Sequence, residues 1–134
     1  NFLKKYTLKK DYDFLVIDFH AETSTEKMAM GHFFDGKATL VVGTHTHVPT
    51  NDTRILKNGT AYQTDAGMSG NYDSVMGYNK TIFLKKFLKE EVKKNFPMPN
   101  NISLCGVMVD ADIKTGLALN IKNFIYGGEL KNYY

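Results

Sequence analysis

The chain has 134 residues, 43% of them hydrophobic, and a formal net charge of +3. That length supports one domain with a real core, so a single domain over residues 1–134 is expected. No apolar run approaches the roughly 20 residues of a membrane-spanning helix, and the opening NFLKKYTLKKDYDF lacks the apolar centre of a secretory signal. A cytoplasmic location without a membrane partner is therefore expected. The chain does not begin with methionine, which fits a processed chain or a piece of something longer.

The single cysteine, Cys105, excludes an internal disulfide. It sits in the apolar run Leu104–Val109 and is expected to be a buried structural thiol, not a nucleophile. Of the 17 basic residues, Arg54 is the one arginine. Readers of nucleic acid lean on the bidentate arginine fork. Duplex nucleic-acid binding is thus not expected, and KKYTLKK and LKKFLKEEVKK read as solvated helix faces.

In chain order, residues 1–13 read as a helix tail or surface segment with Phe2, Leu3 and Tyr6 on one face. Asp13–Phe19 is a nearly continuous apolar run, the pattern of a buried strand in an α/β sheet. Asp18 and His20 would project to one side of it. Asp18 then reads either as a carboxylate orienting a histidine or as an ordinary strand-end acid.

Glu22–Lys37 reads as a helix, with a Thr23–Glu26 capping box and Gly36 as its stop. Ala29, Met30, Phe33 and Phe34 form the face expected to pack. Gly31 weakens that helix by about 1 kcal/mol relative to alanine. His32 lies off the stripe and is expected to be exposed and not a ligand.

Lys37–Gly43 is the next strand, and strand–helix–strand order argues for a parallel crossover. Gly59–Asp65 is a further strand, running into the glycine-rich loop AGMSGNYDSVMGY, read as a substrate-side loop. Asn79–Lys94 reads as a helix with Phe83, Leu84, Phe87, Leu88 and Val92 in one stripe. FPMPN stops it. Leu104–Asp112 and Leu117–Tyr126 read as a hairpin turning at Lys114–Gly116.

The chemistry concentrates in Val41–Thr50, VVGTHTHVPT, whose loop runs on to Arg54 with Pro49 stiffening it. In an extended chain residues two apart point the same way, so His45 and His47 would present two imidazoles to one spot. Imidazole is the commonest protein ligand for first-row transition metals. His20 comes at the end of another strand, and α/β proteins build sites at strand ends. Three histidines could hold one zinc ion with an open position. They also suit half of a two-metal centre, which clamps both oxygens of a phosphoryl displacement. Such a centre needs carboxylate and further ligands, and no second cluster of Asp, Asn or His precedes residue 20.

The blocks DFHAETSTEK, VVGTHTHVPTNDTRIL, GTAYQTDAGMSGNYDSVMG and GVMVDADIKTG resemble the C-terminal half of the YmdB-like metallophosphoesterases. That is a calcineurin-like family associated with 2′,3′-cyclic-nucleotide phosphodiesterase activity. The resemblance implies an α/β fold, part of an αββα two-sheet sandwich with a mixed sheet and a C-terminal β-hairpin. It implies that His20, His45 and His47 ligate a binuclear iron or manganese centre, His20 and His45 on one metal and His47 on the other. It implies a phosphodiester or cyclic-nucleotide substrate. The family's N-terminal half supplies an aspartate, a bridging glutamate, an asparagine and a further histidine, none with a counterpart here. The chain therefore reads as a C-terminal fragment, a single domain portion of a metallophosphoesterase.

Two other readings stay open: a catalytically incomplete metal-binding or interaction module, and a mononuclear enzyme of the cupin type using the HxH pair. Against the second, Val48–Lys57 contains no glutamate and helices intervene. An amidohydrolase barrel is excluded by length. Half a sandwich would expose an apolar sheet face, so the chain is expected to form homo-oligomers or pair with the missing N-terminal half.

Overall fold

The apolar run before His20 becomes strand β1 (Val16–His20), and the run before the HTH segment becomes β2 (Leu40–Thr44). They pair in parallel, with His20 opposite Thr44. Between them lies helix α2 (Ser24–Phe34), completing the crossover that the order of patterns requires. After β2 come β3 (Arg54–Ile55) and β4 (Ala61–Gln63); β4 runs parallel to β2, and β3 antiparallel to β4. The resulting mixed sheet has the order β1-β2-β4-β3.

This computed structural model describes residues 2–92 and 94–132. A short helix α1 (Phe2–Lys5) opens them; Asn1, also in the expected N-terminal segment, lies outside the described residues. Later elements are β5 (Gly70–Asn71), α3 (Lys80–Phe87), β6 (Ile102–Ala111) and β7 (Ala118–Tyr126). A second sheet has the order β5-β6-β7, with β5 antiparallel to β6. The fold class is therefore mixed α/β with two sheets and a C-terminal hairpin. The hairpin turn closes where expected: Gly116 N–H donates to the Asp112 carbonyl at 2.7 Å. No described helix is long and apolar enough to cross a membrane.

The contacts divide the chain into two compact units: residues up to Gly67 with Val107–Asn123, and Met68–Gly106 with the residues from Phe124 onward. In the first, one face of the mixed sheet buries Ala38, Val41, Leu56 and Tyr62 against Met30 and Phe34 of α2. Its other face buries Leu40 and Ala61 with Ala118, beside Val42, Val107, Val109 and Ile121. Strands β2 and β4 are thus covered on both faces, whereas β1, expected to be a buried strand, ends the sheet and has no buried residue: Val16, Asp18 and His20 are exposed and Ile17 and Phe19 half-buried.

Helix α2 starts as its sequence predicts, with the Thr23 hydroxyl accepting from Glu26 N at 3.2 Å. Its packing face is a correction. Ala29 and Phe33 of the expected stripe are exposed, and the buried helix residues are Lys27 and Gly31. A Cβ on Gly31 would sit 2.5 Å from the Tyr62 ring, so the glycine allows the helix to lie directly on that ring. The helix-propensity cost of Gly31 is outweighed by the contact it permits. His32 is exposed, as expected.

In the second unit, Asn79 caps α3, its side chain accepting from Thr81 N and Ile82 N. The helix is only half as long as its periodicity suggests. Lys89 takes a left-handed conformation, φ 61°, and Glu90 N–H reaches back to the Lys85 carbonyl at 2.9 Å. That six-to-one bond is a Schellman closure, here without glycine. Leu84, Phe87 and Leu88 of the expected stripe are exposed, and Lys93 of the expected helix lies outside the described residues. Cys105 is buried, as its apolar setting predicts.

Candidate functional site

Three neighbouring parallel strands finish at one edge of the first sheet: β1 at His20, β2 at Thr44 and β4 at Gln63. This is where α/β sheets place chemistry, because the loops leaving the strands converge there. The register sets Thr44 beside His20, and the Thr44 hydroxyl donates to Asp18 Oδ1 at 2.9 Å. The same hydroxyl oxygen lies 3.1 Å from His20 Nδ1. A hydroxyl whose proton goes to a carboxylate can only accept from the imidazole. His20 therefore carries a proton on Nδ1, and in the neutral imidazole this leaves Nε2 as the lone pair. Asp18 reaches His20 through Thr44, not directly.

His20 Nε2 faces His45 Nδ1 at 3.1 Å, with the rings nearly perpendicular at 84°. With the tautomer above, His45 Nδ1–H donates to His20 Nε2. Two nitrogens bound to one first-row metal at about 2.0–2.1 Å also lie roughly 3 Å apart. The pair thus fits two ligand positions on one ion. Among the described residues no group of three or more His, Cys, Asp or Glu could hold a metal.

The HTH segment is not extended, which corrects the expectation for it. His45 has φ 136° and His47 φ 65°, so the strand rule for residues two apart does not govern their directions. Non-glycine residues at positive φ are strained and persist only where the surroundings hold them. What holds them here is a carboxylate absent from the residues singled out by sequence. Asp65 Oδ2 accepts the backbone N–H of Thr46, the residue between the two histidines, at 2.9 Å. It also accepts from Lys27 Nζ at 2.7 Å, while Oδ1 takes Gly67 N–H at 2.9 Å. Lys27 and Asp65 side chains are each only 1% exposed.

Burial pushes the Asp65 carboxyl up, but hydrogen bonds from Lys27, Thr46 and Gly67 outweigh it and hold the group below its usual range. Asp52 behaves alike. Burial raises it, and bonds from Thr64, Thr50 and Arg54 more than reverse that. It ties the far end of the loop, accepting from the Thr64 hydroxyl at 2.6 Å and the Thr50 hydroxyl at 2.7 Å.

Lys27 escaped the sequence reading because a lone lysine in a helix reads as solvated. Asp65 had one available signal, its place just beyond the third strand end.

A family model described as YmdB-like protein matches residues 1–124. The chain belongs to the YmdB-like family. A Bacillus subtilis family relative named 2′,3′-cyclic-nucleotide 2′-phosphodiesterase is 44% identical over 117 residues, 84% of this chain and 42% of that protein. A solved structure described as a novel phosphatase from Mycoplasma pneumoniae superposes with a TM-score of 0.82 at 37% identity. That match covers 95% of this chain and 46% of the other. A Thermus thermophilus protein described as hypothetical gives a TM-score of 0.79 at 34% identity, covering 90% and 47%. The chain thus spans less than half the length of each of these three proteins.

The depressed carboxyls of Asp52 and Asp65 make stability fall in acid. A carboxyl lower in the folded than in the unfolded state contributes stability that is present above the unfolded value, about 3.9 for aspartate. That stability is lost as pH falls through the folded value. Asp52→Asn should therefore flatten the fall of unfolding free energy below about pH 4 by up to one proton's slope. Urea unfolding from pH 7 to pH 2 reads this; an unchanged acid limb would contradict it.

Proposed function

We propose that this chain is the C-terminal, histidine-bearing portion of a metal-dependent phosphodiesterase domain acting on 2′,3′-cyclic nucleotides or similar phosphodiesters. The observation that carries this is the 3.1 Å approach of His20 Nε2 to His45 Nδ1 at the shared edge of three parallel strands. Family membership and the printed name of the Bacillus subtilis relative support the substrate class.

In this reading His20 and His45 serve one metal ion and His47 a second, the ions being iron or manganese. Bound there, such ions supply polarisation of a phosphoryl group and activation of water near neutral pH. The chain's own contribution is positional. Asp18 and Thr44 fix the His20 tautomer, so its Nε2 is a lone pair before any ligand arrives. Asp65 fixes the backbone between His45 and His47. The remaining ligands come from the part of the relatives that this chain does not span.

The open edge of the sheet supports that division. β1 ends the strand order, and Phe14 and Val16 are 46% and 63% exposed. Beside it, Phe19, Ala29, Met30, Phe33 and Phe34, with Glu26, line a largely apolar groove. A further strand and helix would cover both. Without them, the chain pairs with itself, and light scattering should read more than one protomer. A monodisperse monomer would contradict this.

A second reading, a catalytically incomplete metal-binding or interaction module, is favoured for the isolated chain by the convergence of two nitrogens rather than a full ligand set. One experiment separates the two. This chain is grafted in place of the matching segment of the Bacillus subtilis relative, and hydrolysis of a 2′,3′-cyclic nucleotide is followed after manganese loading. The phosphodiesterase reading expects turnover, lost by about 100-fold or more in His20→Ala, His45→Ala and His47→Ala. Metal stabilisation of several kcal/mol, at about 1.4 kcal/mol per tenfold, sets that magnitude. A folded, metal-loaded graft without hydrolysis would favour the module.

A further inference from the structure

We infer that the buried side chain of Asp65, seated by Lys27, is a positioning acceptor for the HTH segment, acting on His45 and His47 through the Thr46 backbone. The inference rests on the reading of those histidines as ligands given above. The one carboxylate joins three pieces of chain. It takes the Lys27 ammonium from α2 at 2.7 Å, the Thr46 N–H at 2.9 Å, and the Gly67 N–H at 2.9 Å beyond β4. Thr46 is the single residue between two histidines that both sit at positive φ. Ring directions in such a segment follow the backbone, and a hydrogen bond at its midpoint fixes both neighbours together.

A purely structural role explains the pair poorly. A buried ion pair is costly to desolvate, and apolar replacements of similar volume are often as stable or more so. The surroundings are also shaped to admit it. A Cβ on Gly43 would meet the Thr64 carbonyl oxygen at 1.9 Å and Lys27 Cδ at 2.8 Å, so the lysine stem passes against the backbone of β2 just before the site. The ammonium is delivered to the carboxylate that accepts the Thr46 N–H.

Two double variants of the full chain separate positioning from support. Lys27→Met with Asp65→Asn removes both charges but keeps an acceptor for Thr46 N–H. Lys27→Met with Asp65→Leu removes the acceptor as well. Urea midpoints report the fold. Exchange protection of the Thr46 amide and the His20–His45 ring contact, both by NMR on the metal-free protein, report the turn. Cobalt(II) titration reports the ligands.

The expectation is that both variants stay folded and that the acceptor-keeping one retains Thr46 protection and cobalt affinity. The acceptor-free one should exchange Thr46 at least about tenfold faster and bind cobalt about 10–100-fold more weakly, the range found when groups supporting metal ligands are removed. A folded acceptor-free variant with parental protection and affinity within about twofold of the parent would overturn the inference. If that variant does not fold, the acceptor-keeping one decides: loss of cobalt affinity with Thr46 protection intact would overturn it. If the parent itself takes up no cobalt, the ligand reading fails, while Thr46 protection and the ring contact still decide the positioning claim.

Discussion

The site depends on the parallel register that sets His20 opposite Thr44. One residue of slip would send these side chains to the opposite face of the sheet and break the run of hydrogen bonds from His45 through His20 and Thr44 to Asp18. The register is held by burial. Leu15 and Ile17 pack against the cluster of Val41 and Tyr62 while Val16 and Asp18 stay exposed, so a one-residue slip of β1 against β2 would turn the packed side chains outward. A tautomer at the sheet edge is in this sense a consequence of core packing.

The loops beyond the strand ends are held differently. Here the backbone leaves the extended region, and polar groups replace packing as the restraint. Asp65 and Asp52 each gather several donors, and both are stabilised as carboxylates against the burial that would neutralise them. Such networks are worthwhile only when fully satisfied. The Lys27 ammonium and the Thr46 and Gly67 amides satisfy Asp65. The strained histidine backbones are the part of the molecule that this network supports.

Much of this was legible in the residues. Apolar runs located β1 and β2, the Thr23 hydroxyl located the start of α2, and the strand-end histidines pointed to the edge where His20 and His45 meet. The losses have physical causes. Periodicity assigned Ala29 and Phe33 to the core because it cannot register that Gly31 lets α2 sit on Tyr62. It prolonged α3 because a left-handed lysine leaves no trace in the pattern. The two-residue strands β3 and β5 are too short to alternate. An extended HTH pair was the natural expectation, since nothing local announces positive φ at two histidines. The buried Lys27–Asp65 pair joins residues far apart in sequence, and only tertiary structure brings them together.

The central claim is that His20 and His45 converge on one ion. Substoichiometric manganese(II) added to the 15N-labelled chain tests it most directly, because a paramagnetic ion broadens the resonances of the nuclei nearest to it. The account predicts that His20 Nε2 and His45 Nδ1 broaden together and before other side-chain nitrogens. Broadening of one without the other, or at neither, would contradict it.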